Sequence, residues 1–315
     1  MKKIAFLFAG QGAQAVGMGR DMAENLPAAR AVFDMGETVR PGVTALCFTG
    51  DAEELKKTEN TQPCLFLTDL AIARALVVAG VVPAAVAGFS LGEIPALVYA
   101  GVMTDVDGFR FVSLRGESMA RESEKHPGGM AAALKLTPDT VEQTCAQFRE
   151  VWPVNYNCPG QVSCAGNAGE IDAFCEAIKA AGGRAVKLPV SGAFHTPYMK
   201  DVEPVLREAL KKTDLHPAQV PVYANRTATP YPADRDGITD LLATQVCNPV
   251  RWEETLRAMA ADGIDTFIEV GAGATLTGFV RRTLPQATAL TVNDFASFEA
   301  VCNELLGESE QNGNG

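Results

Sequence analysis

Only three histidines occur in 315 residues, too few to build a multi-histidine metal centre. The eight cysteines, at 47, 64, 145, 158, 164, 175, 247 and 302, include no C-x-x-C pair. In a chain of this length that usage fits reduced, partly buried thiols in a cytoplasmic protein rather than a disulfide framework. Basic charge is also short: 27 Lys and Arg stand against 38 Asp and Glu, a formal charge of −11. With no long basic run and no interleaving of aromatic and basic residues, the composition argues against non-specific nucleic-acid binding. Lys211-Lys212, Arg281-Arg282 and the set Lys179, Arg184 and Lys187 are either solvated faces or a local patch for an acidic partner. No membrane span is expected, because the longest apolar segment, 75–89, is broken by Gly80 and Pro83. The run 4–9 is too short for a secretory signal. The turn Gly10-Gln11-Gly12 lacks both a Walker lysine and a G-x-G-x-x-G pattern, which argues against a nucleotide site.

What is present is apolar bulk. At 47% hydrophobic and 21% charged residues, the chain can fill a large α/β body that carries an insertion. Strand 4–8, helix 62–78, strand 81–87 and helix 105–123 follow the grammar of a parallel sheet covered on both faces. The rhythm then changes. Strand 130–136, helix 138–149, strands 151–156 and 162–165, helix 170–181 and strand 185–190 give β-α-β-β-α-β, the ferredoxin-like unit. The α/β grammar resumes with helix 198–212, strand 220–224, helix 251–261, strand 266–270, helix 275–284 and strand 288–292. The expected organisation is a discontinuous α/β body (1–125 and 192–306), a ferredoxin-like insert (126–191) and a disordered tail (307–315).

Between a buried strand and a helix lies Gly88-Phe89-Ser90-Leu91-Gly92, a G-x-S-x-G sequence. That is the signature of a nucleophile elbow, in which the hydroxyl stands exposed at the strand tip; a small-residue turn that merely contains serine is the plainer reading. A nucleophilic serine needs a base. His126 and His216 each precede a proline in polar surroundings, which leaves His195, at the junction of insert and body, as the one plausible partner. A hydrogen-bonded structural histidine is equally compatible with the sequence. Arg115 lies on the apolar stripe of its helix, with Phe111, Val112, Ser118 and Met119 three and four residues away. A buried guanidinium needs an internal acid, backbone carbonyls or a bound substrate carboxylate. Backbone N–H groups of Gln11 and Leu91 are placed to serve as an oxyanion hole.

These segments together resemble the malonyl-CoA:acyl carrier protein transacylase family. The matching residues are Phe8-Ala9-Gly10-Gln11-Gly12, Gly88-Phe89-Ser90-Leu91-Gly92-Glu93, Arg115-Gly116 with Met119, and Asn155-Tyr156-Asn157 with Pro159-Gly160-Gln161. Ala193-Phe194-His195, then Gln245 with Asn248-Pro249-Val250-Arg251-Trp252, and Glu269-Val270-Gly271 complete them. The resemblance runs from residue 4 to about residue 306, and several motifs in order are far more specific than the elbow alone. It implies a Ser90–His195 dyad, the imidazole oriented by a backbone carbonyl near Gln245. It further implies Arg115 as clamp on the malonyl carboxylate, Gln11 and Leu91 as oxyanion donors, Asn157 near the pantetheine arm and Phe194 as a limit on α-branched acyl groups. The reaction implied is ping-pong transfer from malonyl-CoA to the phosphopantetheine thiol of acyl carrier protein. No resident cofactor or metal is implied, and a cytoplasmic monomer serving fatty acid synthesis is expected. A trans-acting polyketide-pathway acyltransferase, an acyl-thioester hydrolase with the same dyad, and an inactive docking protein are the alternatives. Three departures stand out: Phe89 where the family usually has histidine, Ile94-Pro95 where an aromatic-alanine pair is common, and Gly271-Ala272-Gly273 in place of Gly-Pro-Gly.

Overall fold

The computed structural model describes residues 2–190 and 192–312. Its strands are β1 (Ile4–Phe8), β2 (Ala85–Gly88), β3 (Gly128–Leu134), β4 (Val151–Cys158), β5 (Gln161–Asn167), β6 (Arg184–Lys187), β7 (Val222–Tyr223), β8 (Thr266–Val270) and β9 (Thr288–Val292). They form two sheets. One is wholly parallel, in the order β7-β2-β1-β8-β9. The other is antiparallel, in the order β4-β5-β3-β6.

The pleat of the parallel sheet sorts its side chains into two cores. Phe6, Phe8, Val86, Ile268 and Val270 face one, while Ala5, Leu7, Ala85, Ala87 and Phe267 face the other. Both faces being covered explains why these strands read as continuous apolar runs. The antiparallel sheet does the same on a smaller scale. Ala131 and Ala133 of β3 pack with Val141, Phe174 and Ile178 of the helices Pro138–Cys145 and Ile171–Ala180. Met130, one position away, belongs to the main core instead.

Helix Thr58–Val78 has the length and composition to cross a membrane, but 83% of its most apolar window is buried inside the protein. Pro63 lies within it. A proline has no N–H for the carbonyl four residues back; here Arg40 Nη1 donates to that carbonyl, Glu59 O, at 2.9 Å. A side chain from just beyond the end of the helix Pro27–Val39 thus replaces the missing bond.

The structure differs from the sequence expectations at several places, among them a helix that ends at Cys145 rather than 149 and the unforeseen helices Pro27–Val39 and Arg235–Thr244. Strand β2 begins at Ala85 rather than 81, since Pro83 offers no donor to a ladder. The stretch 198–212 splits into a 3₁₀ turn, Pro197–Met199, and the helix Val202–Lys212. The helix Phe295–Asn312 runs into the stretch 307–315 that is expected to be a disordered tail. Glu308, Glu310 and Gln311 are good helix formers, and continuing an existing helix through Gly307 needs no new nucleus. Residues 313–315 of that expectation lie outside the described residues.

The register places Phe8 beside both Gly88 and Val270. The C-terminal tips of three adjacent strands therefore release their loops at one edge, where parallel α/β sheets hold their ligands.

Candidate active site

At that edge β2 ends in a tight turn. Ser90 has φ 54, the left-handed region, followed directly by the 3₁₀ turn Ser90–Gly92. Such a conformation costs an L-residue on the order of 1–3 kcal/mol and survives only where neighbours enforce it. The glycines are sterically required. A Cβ at Gly88 would lie 1.9 Å from the Gly92 carbonyl oxygen, and one at Gly92 would lie 2.3 Å from Phe8 O.

Ser90 Oγ lies 2.8 Å from His195 Nε2. His195 is itself at φ 62, and its N–H donates to Val246 O at 3.0 Å. On the far side of the ring, Nδ1 lies 3.0 Å from Gln245 O and 3.0 Å from Asn248 O. Carbonyls only accept, so Nδ1 carries the proton and Nε2 offers its lone pair to the serine hydroxyl. Burial, and then the nearby Arg115 charge, depress the His195 pKa to about 4. The imidazole is therefore neutral at physiological pH and able to accept a proton from Ser90 without first losing one.

Arg115 projects from the helix Asp105–Lys125 and is 1% exposed. Its Nη1 donates to Gln62 Oε1 at 2.8 Å and its Nη2 to Gln245 Oε1 at 2.9 Å. Nη2 also reaches Ser90 Oγ, at 3.2 Å. These acceptors are neutral, and Nε has no hydrogen-bond partner among the described residues. Burial lowers the guanidinium pKa to about 10 against the opposing charge of Glu93, so it stays cationic near neutrality. A cation held by amides, without a carboxylate bonded to it, keeps its charge available to an anion arriving beside Ser90.

Gln245 binds the group together. Its carboxamide accepts from Arg115, its Nε2 donates to Ser90 O at 2.7 Å, and its carbonyl faces His195. Leu91 is buried in the turn after Ser90. Gln11 is half-buried in the loop after β1, its side chain donating to Thr58 Oγ1 at 3.2 Å. Phe194 is 6% exposed and joins the main core beside His195. Asn157 is buried on β4, with Nδ2 donating to Ser163 Oγ of β5 at 3.1 Å. The other histidines lie elsewhere: His126 stacks on Tyr198 at 5.0 Å and His216 pairs with Asp214.

Sequence reasoning assigned no role to three residues here. Gln62 fixes one arm of Arg115, and its signal was a polar residue opening the apolar run of its helix. Asn225 lies one residue beyond Ala224, at the tip of the strand beside β2, and accepts the Ser90 N–H at 2.7 Å. Glu93, quoted only as part of a motif, accepts the Asn225 N–H at 2.7 Å and the hydroxyl of Tyr231. Burial pushes the Glu93 pKa up to about 7 despite these donors.

The family of the acyl transferase domain matches residues 5–306. The chain is 38% identical to the malonyl CoA-acyl carrier protein transacylase of Bacillus subtilis over 98% of its own length and 99% of that protein. It is also 38% identical to the Escherichia coli protein of the same name, over 96% of this chain and 99% of that one. Among solved structures, the malonyl CoA-acyl carrier protein transacylase of Clostridium perfringens superposes with a TM-score of 0.94 at 36% identity, covering 99% of this chain and 100% of that one. A malonyl-transacylase solved with its type II PKS acyl-carrier protein superposes at 0.92 with 34% identity, covering 96% of this chain and 100% of that one. The chain belongs to the acyl transferase family that includes these malonyl CoA-acyl carrier protein transacylases.

Proposed function

We propose that the protein transfers malonyl from malonyl-CoA to the phosphopantetheine thiol of an acyl carrier protein through an ester on Ser90. The names of its relatives support the overall transfer. The observation that carries the mechanism is the double engagement of one oxygen: Ser90 Oγ touches both His195 Nε2 and Arg115 Nη2.

In the first half-reaction Ser90 Oγ attacks the thioester carbonyl and its proton passes to His195 Nε2. The tetrahedral oxyanion is met by the N–H groups of Gln11 and Leu91. Collapse breaks the C–S bond, and His195 returns its proton to the departing CoA sulfur. In the second half His195 takes the proton of the carrier thiol, whose sulfur attacks the malonyl-Ser90 ester, and then returns it to Ser90. Throughout, Arg115 pairs with the free malonyl carboxylate, Asn157 lies toward the pantetheine arm and Phe194 restricts α-branched acyl groups. The second half must outrun hydrolysis, which the burial of His195 and Arg115 favours by limiting water.

The same reading makes residues 1–125 and 192–306 an α/β hydrolase-like body and 126–191 a ferredoxin-like insert. The order β4-β5-β3-β6, with two helices against one face, supports the second assignment. A cytoplasmic monomer without resident cofactor, serving fatty acid synthesis, completes the proposal. The similarity to a transacylase seen with a type II PKS carrier favours polyketide carriers as a second class of acceptor.

Intact-protein mass spectrometry after brief exposure to malonyl-CoA is the test. A malonyl adduct that localises to Ser90, disappears in Ser90→Ala and is discharged by holo-carrier protein is the expected result. Release of free malonate at the same rate with and without carrier would mark a hydrolase instead.

A further inference from the structure

We propose that Asn225 is a positioning residue for acyl transfer, its carboxamide holding Ser90 in the left-handed conformation that the reaction uses. The proposal rests on Ser90 being the acylated residue, as argued above.

The backbone ladder between β2 and β7 stops at Ala87 and Tyr223. Two residues on, the Asn225 side chain takes its place. Oδ1 accepts the Ser90 N–H at 2.7 Å, and Nδ2 donates to Gly88 O at 2.6 Å. One planar amide thus closes a ring around Phe89, clamping the peptides on either side of it. The left-handed turn at Ser90 needs such enforcement. Asn225 is itself fully buried and anchored at both backbone groups. Its N–H donates to Glu93 Oε2 at 2.7 Å, and its carbonyl accepts from the Arg251 N–H at 2.8 Å. Glu93 is steadied by the hydroxyl of Tyr231. Because the Ser90 N–H is spent on Asn225, it is withdrawn from any role as oxyanion donor; that role falls to other N–H groups. Asn225 therefore acts through Ser90, by aiming Oγ.

The test follows formation of malonyl-Ser90 in single-turnover experiments by intact mass spectrometry, with folding of each variant checked by thermal melting. Asn225→Ala removes both bonds. Its acylation rate at saturating malonyl-CoA is expected to fall about 10²-fold, as for an ångström-scale misplacement of a reacting group. The half-saturating concentration is expected to move by less than about threefold, since substrate contacts remain. Asn225→Asp keeps the acceptor for Ser90 but sets an oxygen against Gly88 O until it is protonated. The titratable groups facing it are Glu93 and, behind that, Tyr231. Its rate relative to the parent is expected to rise as pH falls from about 8 to about 5.5, because the neutral acid restores the donor. This second variant serves if Asn225→Ala does not fold. A folded Asn225→Ala that acylates within about threefold of the parent, or an Asn225→Asp profile parallel to the parent's, would overturn the proposal alone. A parent that takes up no malonyl on Ser90 would overturn the acyl-transfer reading and this proposal with it.

Discussion

Arg115 Nη2 stands 3.2 Å from Ser90 Oγ, so a buried cation and the candidate nucleophile share one small volume. Arg115→Ala is expected to reverse acyl preference, weakening malonyl-CoA as a donor while sparing acetyl-CoA. Loss of a charge-assisted bidentate contact of about 2–4 kcal/mol corresponds to roughly 30- to 1,000-fold in relative kcat/KM. Equal loss for both donors would remove the carboxylate-clamp role.

The same cation sets the base. Burial and then Arg115 hold the His195 pKa at about 4, below its ordinary value of 6.5. The acid limb of kcat/KM for acylation is expected near pH 4 in the parent and to move upward in Arg115→Ala, since the repulsion of imidazolium is gone. Stability carries the same sign. His195 binds its proton more weakly folded than unfolded, so its contribution is present above about pH 6.5 and is lost as pH falls toward 4. A pH–rate profile of both proteins checks the first statement; His195→Gln melting curves across that window check the second.

Phe89 turns away from the dyad. Its ring meets Trp252 edge-on at 5.3 Å and Phe279 at 6.2 Å. Phe89→His is therefore expected to leave the malonyl-over-acetyl preference within about threefold while costing about 0.5–1.5 kcal/mol of aromatic packing. Chemical denaturation and donor competition measure the two effects separately. A large change in preference would place the ring in the acyl pocket after all.

Asp69 is wholly buried on the helix Thr58–Val78, and among the described residues neither of its oxygens has a hydrogen-bond partner of good geometry, the Ala9 N–H being only a weak counterweight. Burial, and then the charge of Glu269, push its pKa well up. A carboxyl with a raised folded pKa contributes fully below its unfolded value, and that contribution is lost as pH rises. Asp69→Asn is expected to gain stability relative to the parent on going from about pH 5 to about pH 8, by at most about 1.4 kcal/mol per pH unit. Denaturant melts at the two pH values decide it; a difference that stays constant rejects the assignment.

Much of this arrangement was legible in the chain because it is local. The Gly-x-Ser-x-Gly spacing encodes a steric fact about one turn, and the clash of a Cβ at Gly88 with the Gly92 carbonyl is that fact in three dimensions. Arg115 announced itself because one charged residue among Phe111, Val112 and Met119 breaks a helical stripe. The amides that hold it gave a weaker signal. Gln62 and Gln245 are 53 and 130 residues away, and a glutamine at a helix start or in a short turn looks like ordinary surface. Asn225 was hidden for the same reason: its partners are at 88, 90, 93 and 251, at the ends of elements that only the strand order brings together. The helix Phe295–Asn312 extends past Gly307 because a helix nucleated upstream can propagate where composition alone gives no signal.

His195 reaches the site just after the chain leaves the antiparallel sheet, yet its own hydrogen bonds run to Ser90, Gln245, Val246 and Asn248. All four lie in the segments that surround the parallel sheet. The smaller sheet acts on the imidazole only at second hand: just past Asn248, the Val250 N–H donates to Val154 O at 2.8 Å and Val250 O accepts from the Tyr156 N–H at 2.9 Å, so β4 steadies the segment whose carbonyls hold the ring.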